Sequence, residues 1–212
     1  EVLKEKIAYR PGSVAPPPEQ REYRVISICA SRDSIVQFQL LRMLKCSLES
    51  SFSDSCFGYR TGRSSTQAVS KIRNLIRDGW SFAYESDIRK FFDRVPHATL
   101  ITRIKSLLSF WDPRAIAILV QYIKSELIAS HHFDGHGKLK PGVHWREVTT
   151  RRIVGLPQGG ALSGFLTNVY LTVFDNAFDQ ANNIRMFRYA DDFVILGKQP
   201  AVIEEASQRA EK

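Results

Sequence analysis

Two adjacent carboxylates, Asp191 and Asp192, lie between two short apolar segments of the sequence. Residues 186–189 and 193–196 have the composition of β-strands, so the pattern predicts a hairpin with both acids at its tip. Neighbouring negative charges repel each other, and a divalent cation between them would relieve that repulsion. A solvated turn is the other explanation, because Asp is common in turns where its side chain bonds the nearby backbone.

A third carboxylate, Asp87, ends another predicted strand. Residues 80–88 alternate between aromatic side chains on one face and small or acidic side chains on the other. This alternation predicts a half-buried strand. Phe91 and Phe92 follow shortly after, so an acid and an aromatic pair would lie close together.

The other elements are predicted from hydrophobic periodicity and from capping residues. Residues 24–30 are β-branched and apolar, as in a strand. Ser64 and Gln67 have the spacing of a capping box, and Gly79 would end that helix. Further helices are predicted to begin near Ser34 or Asp33, at Pro96, at Asp112-Pro113, at Ser163 after a glycine-rich turn over residues 155–160, and at Pro200.

Two of these helices are expected to bury a particular apolar stripe. In the first, the stripe is Ile35, Phe38, Leu40 or Leu41, Leu44 and Leu48. In the second, it is Ala68, Ile72, Leu75 and Ile76. Both follow from three-to-four spacing.

Composition narrows the class of protein. The 212 residues include 43% hydrophobic residues, enough for a core, and carry a formal net charge of +8. An excess of positive charge favours a polyanionic partner, although it also promotes solubility. Cys29, Cys46 and Cys56 are widely spaced and read as reduced thiols. Without an apolar run long enough for a membrane span or a signal peptide, we expect no membrane association and a cytoplasmic location.

Five segments occur in the order found in one family of polymerases. They are Arg24-Val-Ile-Ser-Ile with Arg32-Asp33, Phe57-Gly-Tyr-Arg-Thr-Gly-Arg-Ser64, Ser86-Asp-Ile-Arg-Lys-Phe-Phe-Asp93, Gly155-Leu-Pro-Gln-Gly-Gly160 and Tyr189-Ala-Asp-Asp192. With these motifs, residues 20–205 resemble the reverse transcriptases. Within that family the chain looks most like the bacterial group II intron-encoded enzymes and the related CRISPR-associated and retron-like branches.

The resemblance implies an α+β fold of the right-hand polymerase type, with an antiparallel palm sheet packed on helices. Residues 1–79 would form the fingers, including an extended N-terminal arm over residues 1–24. Residues 80–212 would form the palm, with a basic flap at about residues 131–152. The palm would be truncated and the thumb absent, so the sequence would be a fragment of a longer protein with further domains.

The implied activity is RNA-directed DNA polymerisation by two-metal nucleotidyl transfer. RNA would be the template, a DNA or RNA primer would be extended, and dNTPs would be the substrates. Asp87, Asp191 and Asp192 would be the catalytic residues and would hold two Mg²⁺ ions, for which Mn²⁺ could substitute.

Nucleotide contacts are also implied by the resemblance. Arg24 would pair with the triphosphate, and Gln158 would contact the incoming nucleotide. Phe92 would lie under the sugar and exclude a 2′-hydroxyl. Phe92 could instead be a core aromatic, with Phe91 as the discriminating ring.

Several basic residues are candidates for holding the template and primer. They are Arg60, Arg63 and Arg73, with Lys138 and Lys140 in the flap. A solvated helix face is the alternative explanation for the basic residues that follow Phe57.

The sequence departs from the intron-encoded pattern at Thr61, where Pro is frequent, and at Gly164 and Phe165, where Pro-Leu is frequent. These departures place the chain at a distance from the typical intron-encoded enzymes, so it could belong to a CRISPR-associated, retron-like or phage-defence branch. Two other functions also stay open. The chain could be an RNA-binding module that assists intron splicing, or an RNA-dependent RNA polymerase. The latter usually has Gly-Asp-Asp at the hairpin and a small polar residue in place of Phe92.

Overall fold

The computed structural model describes residues 26–128, 130–134, 138–144, 147, 149–150, 152–179 and 181–211. The helices are α1 (Ser31–Leu48), α2 (Ser65–Arg77), α3 (Phe91–Arg94), α4 (His97–Leu107), α5 (Pro113–Ile123), α6 (Ser163–Asp179) and α7 (Pro200–Ala210). The strands are β1 (Phe82–Asp87), β2 (Leu127–Ile128), β3 (Thr149–Thr150), β4 (Ile184–Tyr189) and β5 (Asp192–Gly197). Short 3-10 turns occupy Glu49–Ser51 and Ser130–His132.

The central element is a three-stranded antiparallel sheet in the order β1-β5-β4. The predicted hairpin is β4 and β5, and the predicted strand that ends in Asp87 is β1. Side chains alternate between the two faces of a strand, so the register assigns each residue to a face. Helices and antiparallel strands in this order confirm the predicted α+β class.

Both faces of the sheet are covered by helices. One face packs on α6 and α7 through Phe178, Ile184, Met186, Ile195 and Ile203. The other packs on α2 through Phe57, Ala68, Trp80, Phe187 and Leu196. The β-strands are therefore fixed from both sides near their middle, away from the hairpin tip.

A larger helical core lies beside the sheet. Its fully enclosed members come from α1, α4, α5 and α6 and include Leu44, Leu100, Ile104, Leu119 and Leu166. Each such aliphatic side chain contributes about 1.5–3 kcal/mol when it is removed from water. This core is the platform on which the sheet and the loop after residue 154 rest.

The predicted helix boundaries at α2 and α5 are confirmed by their caps. Ser64 accepts a hydrogen bond from the Gln67 backbone, and the Gln67 side chain accepts one from Ser64. Asp112 caps α5 by accepting from the Arg114 backbone at 2.8 Å. Gly79 follows α2 with φ of +86°, a conformation that costs glycine little.

The prediction of a strand over residues 24–30 is wrong for the described residues 26–30, which form no strand. Their backbone instead lies against the loop that follows residue 154, where the Ser27 amide donates to the Gln158 carbonyl at 2.7 Å. A β-branched composition favours an extended chain, but a strand also needs a neighbouring strand to pair with. Arg24 and Val25 lie outside the described residues.

The predicted buried stripes are only partly correct. In α1, Leu40, Leu44 and Leu48 are buried as expected, whereas Ile35 and Phe38 are 65% and 62% exposed. In α2, Ala68 is buried but Ile76 is exposed. The reason in α1 is that apolar residues occur on more than one side of the helix, so spacing alone could not select the buried side.

The predicted flap lies in a segment whose two ends are joined by a short two-stranded antiparallel sheet. Strands β2 and β3 pair antiparallel, with Leu127 opposite Thr150 and Ile128 opposite Thr149. Within the excursion Phe133 pairs with Leu139. The assignment of residues 131–152 as a basic flap stays a prediction.

A segment from the loop after α1 runs alongside the outer edge of β4. Cys56 pairs in parallel with Arg188 in an isolated bridge. The Arg188 amide donates to the Ser55 carbonyl at 2.8 Å, and the Phe57 amide donates to the Arg188 carbonyl at 2.8 Å. We call residues 53–63 the edge loop.

The proposed division into fingers and palm at residue 79 stays a prediction.

No helix of the described residues is long and apolar enough to span a bilayer.

Candidate active site

The turn between β4 and β5 carries two of the three predicted acids. Ala190 is buried and has φ of +61°, which is unusual for a residue with a side chain. Asp191 follows it, and Asp192 is the first residue of β5. The Ile88 amide donates to the Asp191 carbonyl at 3.1 Å, which ties the turn to the end of β1.

The register of the sheet brings the third acid to the same place. Asp87 is directly opposite Asp192, and Asp192 is directly opposite Tyr189. Directly opposed residues in an antiparallel pair share a face, so both carboxylates project from one face of the sheet. Asp87 and Asp192 are exposed, and Asp191 is half-buried. The three residues that were predicted to act together therefore do lie together.

The donor chemistry of this site fits Mg²⁺. Carboxylate oxygens are the hard ligands that Mg²⁺ prefers, and the ion retains waters and substrate phosphate oxygens. The Cβ atoms of directly opposed residues are about 5 Å apart, so rotation of Asp87 and Asp192 can bring both carboxylates to one ion. Among the described residues, no group of three or more His, Cys, Asp or Glu side chains has already converged on such a point.

Phe91 and Phe92 are now distinguished by their surroundings. Phe91 is buried in the helical core and contacts Tyr170, with ring centroids 5.9 Å apart. Phe92 is half-buried, and its ring meets Tyr59 edge-to-face at 6.4 Å. Of the two rings, Phe92 is the one with a surface that a ligand could reach.

Gln158 is placed next to the segment that carries Phe92. The Leu156 amide donates to the Phe92 carbonyl at 2.7 Å, and the Gln158 side chain donates to Asp93 at 3.0 Å. Gly155 has φ of +84°, and a Cβ there would lie 2.9 Å from the Phe92 carbonyl oxygen. This glycine therefore permits the close approach that brings Gln158 and Phe92 together.

Arg60 is not placed as predicted. Its side chain is only 6% exposed, and its guanidinium donates to the Glu49 carboxylate at 2.7 Å and to the carbonyls of Ser53 and Cys56. A guanidinium so enclosed has no surface left for a phosphate, so Arg60 stabilises the edge loop instead. Phe52 lies beneath it, with the guanidinium carbon 5.6 Å from the ring centroid.

The other predicted basic residues remain near the surface. Arg63 pairs with the exposed Asp54, whose pKa is lowered mainly by the hydrogen bond from Arg63. Arg73 on α2 is exposed, as are Lys138 and Lys140 in the flap. These four are accessible to a polyanion. Arg24, predicted to contact the triphosphate, lies outside the described residues.

Comparison with known protein families identifies the family of this chain. Residues 13–212 match the family described as reverse transcriptase (RNA-dependent DNA polymerase). The chain belongs to this family. The resemblance drawn from the five sequence motifs is thereby confirmed.

Curated relatives place this reverse transcriptase chain near intron proteins. It is 31% identical over 152 residues to an uncharacterized 91 kDa protein in the cob intron of Schizosaccharomyces pombe, which covers 72% of this chain and 16% of that protein. It is 26% identical over 173 residues to the group II intron-encoded protein LtrA of Lactococcus lactis subsp. cremoris, covering 77% of this chain and 26% of LtrA. The chain spans less than half the length of the curated relatives that it matches.

A solved structure shares the fold. Apo telomerase from Candida tropicalis, truncated from the C-terminal domain, superposes with a TM-score of 0.61 at 13% identity. The match covers 84% of this chain and 36% of the telomerase chain. At that identity the likeness concerns the fold alone, and it agrees with the predicted polymerase architecture.

One residue next to the candidate site was not predicted from the sequence. Arg188 lies two residues before the strained Ala190 and is fully buried against Asp175, which is 1% exposed. Burial alone would lower the pKa of Arg188, but the hydrogen bonds and charge of Asp175 raise it, so the guanidinium stays charged. The available signal was its position: Arg188 alternates with Ile184 and Met186 on the face of β4 that packs on helices.

Proposed function

We propose that the protein is an RNA-directed DNA polymerase that extends a primer 3′-hydroxyl with dNTPs on an RNA template. One observation carries the proposal: in a chain of the reverse transcriptase family, the register sets Asp87 opposite Asp192, next to Asp191 at the hairpin turn. Three carboxylates at the open end of a sheet are what divalent-metal nucleotidyl transfer requires.

The reaction forms a bond between the primer 3′-oxygen and the α-phosphorus of the nucleotide and releases pyrophosphate. Two Mg²⁺ ions, when bound, lower the pKa of the 3′-hydroxyl and neutralise charge on the phosphates. Asp87, Asp191 and Asp192 would hold them through carboxylate oxygens. Asp87 and Asp192 are exposed and project from the same face of the sheet, at the hairpin end and beyond the part that the helices cover. Substrate phosphates can therefore approach there without displacing the core.

The nucleotide would be recognised by the segment that follows β1. The half-buried ring of Phe92 occupies the volume that a ribose 2′-hydroxyl would need, so discrimination rests on a clash. Gln158, anchored to Asp93 at 3.0 Å, would contact the nucleotide from the neighbouring loop. Arg24 is proposed to contact the triphosphate.

Template and primer would be held by the accessible basic residues. Arg63 and Arg73 lie in the edge loop and on α2, and Lys138 and Lys140 lie in the flap. Contacts of this type go to phosphates and carry no sequence information. RNA of any sequence could therefore serve as the template.

Primer extension by the protein at its full natural length tests the proposal. RNA and DNA templates are compared, each with dNTPs and with rNTPs, at a series of Mg²⁺ concentrations. Wild-type protein should extend with dNTPs on RNA, and Asp191→Asn or Asp87→Asn should abolish extension because each removes a negative oxygen ligand without changing volume. Asp192→Asn should reduce it strongly.

Asp78→Asn is the matched control, since Asp78 is an exposed acid at the end of α2, away from the sheet tip. It should extend as wild type does, and all variants should unfold at the wild-type temperature. Near-normal extension by Asp191→Asn would refute the assignment of the acids. Preferential use of rNTPs would identify an RNA polymerase, and RNA binding without extension would identify an RNA-binding module.

A further inference from the structure

The interior side of β4 holds a fully buried arginine, Arg188, next to the turn of the β4–β5 hairpin. Arg188 donates to both carboxylate oxygens of Asp175 on α6, at 2.7 Å and 2.6 Å. The same guanidinium donates to the Asn168 side chain at 3.1 Å and to the Cys56 sulfur at 3.1 Å. Burial raises the pKa of the Cys56 thiol to about 11, so the sulfur is a neutral partner.

One further hydrogen bond of Arg188 reaches the turn itself. Its guanidinium donates to the Ala190 carbonyl oxygen at 2.8 Å. Ala190 holds a left-handed conformation with φ of +61°, which is unfavourable for a residue with a side chain. The next carbonyl, that of Asp191, accepts from the Ile88 amide at 3.1 Å. Two successive carbonyls of the turn are therefore held, one from the core and one from β1.

The turn is also closed from the side of the edge loop. Asn168 donates to the Gly58 carbonyl at 2.7 Å, which ties that loop to α6. A Cβ on Gly58 would lie 2.5 Å from the Ala190 nitrogen, so backbone packs directly against backbone there. Arg188 thus joins α6, the edge loop and the turn through a single planar group with five donors in fixed directions.

We propose that Arg188 is a positioning residue for the metal-binding acids: its bond to the Ala190 carbonyl keeps Asp191 and Asp192 aligned with Asp87. It touches no substrate and acts through the turn. The proposal rests on the proposed function, because it assumes that these acids hold the metal ions. Outer residues that orient metal ligands commonly change metal affinity or activity by about 10- to 100-fold when they are replaced.

The competing explanation is that Arg188 contributes to stability alone. A buried ion pair of this kind would then lower the unfolding temperature when broken, with no change in metal binding by the folded protein. Measuring unfolding and metal affinity separately distinguishes the two roles. Metal binding without nucleotide also gives a readout that does not depend on catalysis.

Arg188→Lys is the variant of choice, because lysine keeps the charge next to Asp175 but lacks the planar fork that also reaches Ala190. In the full-length protein, Mn²⁺ binding is followed by electron paramagnetic resonance, unfolding by circular dichroism, and extension by kcat and KM for dNTP. At a temperature where the variant is folded, the half-saturating Mn²⁺ concentration should rise about tenfold or more. The decrease in kcat should exceed the increase in KM for dNTP, and excess metal should restore part of kcat.

Arg103→Lys is the matched control. Arg103 is a partly buried arginine that, like Arg188, donates to α6. Its acceptor is the Tyr170 carbonyl, and it makes no described contact with the turn. Its replacement should affect stability without altering Mn²⁺ affinity. If Arg188→Lys does not fold, Asn168→Ala serves instead, because it removes the other acceptor that orients the same guanidinium nitrogen. Asn168→Ala should also weaken Mn²⁺ binding, by a smaller factor than is expected for Arg188→Lys.

Unchanged Mn²⁺ affinity in folded Arg188→Lys, or in Asn168→Ala where that variant is used, would overturn the positioning role. A different result would overturn the proposed function and leave the positioning role intact. In that case the wild-type protein extends no primer but binds Mn²⁺ through the acids, and Arg188→Lys weakens that Mn²⁺ binding. The two failures are thus separable.

Discussion

Replacing Phe92 with alanine probes how the site would distinguish deoxyribose from ribose. The Phe92 ring is half-buried between Phe91, with centroids 6.1 Å apart, and Tyr59, at 6.4 Å. Both neighbours meet it edge-on, so the ring is oriented by its packing. Truncation leaves space where a 2′-hydroxyl would otherwise collide, without touching the three acids.

The expected magnitude follows from what a steric pocket can do. A site that rejects an additional hydroxyl by shape alone discriminates by about 100-fold. Loss of the ring should therefore lower the preference for dNTP over rNTP, measured as the ratio of kcat/KM values, by about 10- to 100-fold, which corresponds to about 1.4–2.8 kcal/mol. Stability should fall by less than the ~3–5 kcal/mol typical of a fully buried Phe→Ala replacement, because part of the ring is exposed.

Single-nucleotide incorporation with matched dNTP and rNTP measures that ratio, and urea unfolding measures stability. Phe91→Ala is the control, since Phe91 is only 5% exposed and lies in the helical core. It should destabilise more than Phe92→Ala and leave the ratio unchanged in folded protein. Relaxed discrimination in Phe91→Ala, with none in Phe92→Ala, would refute the assignment of the discriminating ring.

Three more outcomes are expected from the edge loop and its neighbours. Gly164→Ala should displace the Tyr59 ring, which occupies the position that a Cβ on residue 164 would take. The preference for dNTP over rNTP in the incorporation assay should then fall. An unchanged preference would show that Tyr59 does not hold Phe92 in its discriminating position. Arg63→Gln combined with Arg73→Gln should reduce the slope of log affinity for RNA against log salt by about 1–2, measured by fluorescence anisotropy. Arg60→Gln should instead lower the unfolding temperature with little change in that slope, and the reverse pattern would contradict the burial of Arg60.

The β4–β5 hairpin was the most predictable part of the fold. Its two apolar segments and the acids between them were recognisable directly in the sequence, whereas the meeting of Asp87 with Asp192 was implied by the family resemblance. The caps of α2 and α5 were equally local signals, read from Ser64 and Asp112. Features set within a few residues of each other could be predicted from sequence.

Features that depend on residues far apart in the sequence could not be predicted in this way. Arg60 was grouped with surface cations because composition records charge and not burial, and its partner Glu49 precedes it by eleven residues. Arg188 on β4 donates to Asp175 on α6, so its buried ion pair becomes apparent only from the packing of β4 on α6. The strand expected over residues 24–30 had the right composition, but its described residues 26–30 pair with no strand in the described part of the chain.

The edge loop has a consequence for how this sheet meets other molecules. An unpaired strand edge is a template for a strand of another chain, and proteins commonly protect such edges from aggregation. At the tip of β4, the Arg188 amide donates to the Ser55 carbonyl and the Arg188 carbonyl accepts from the Phe57 amide, so the backbone positions that an intruding strand would use are already occupied. Because Asn168 anchors the same loop through Gly58, displacing it would expose a self-associating edge beside the acids. Oligomerisation and loss of activity should therefore appear together in variants that release this loop.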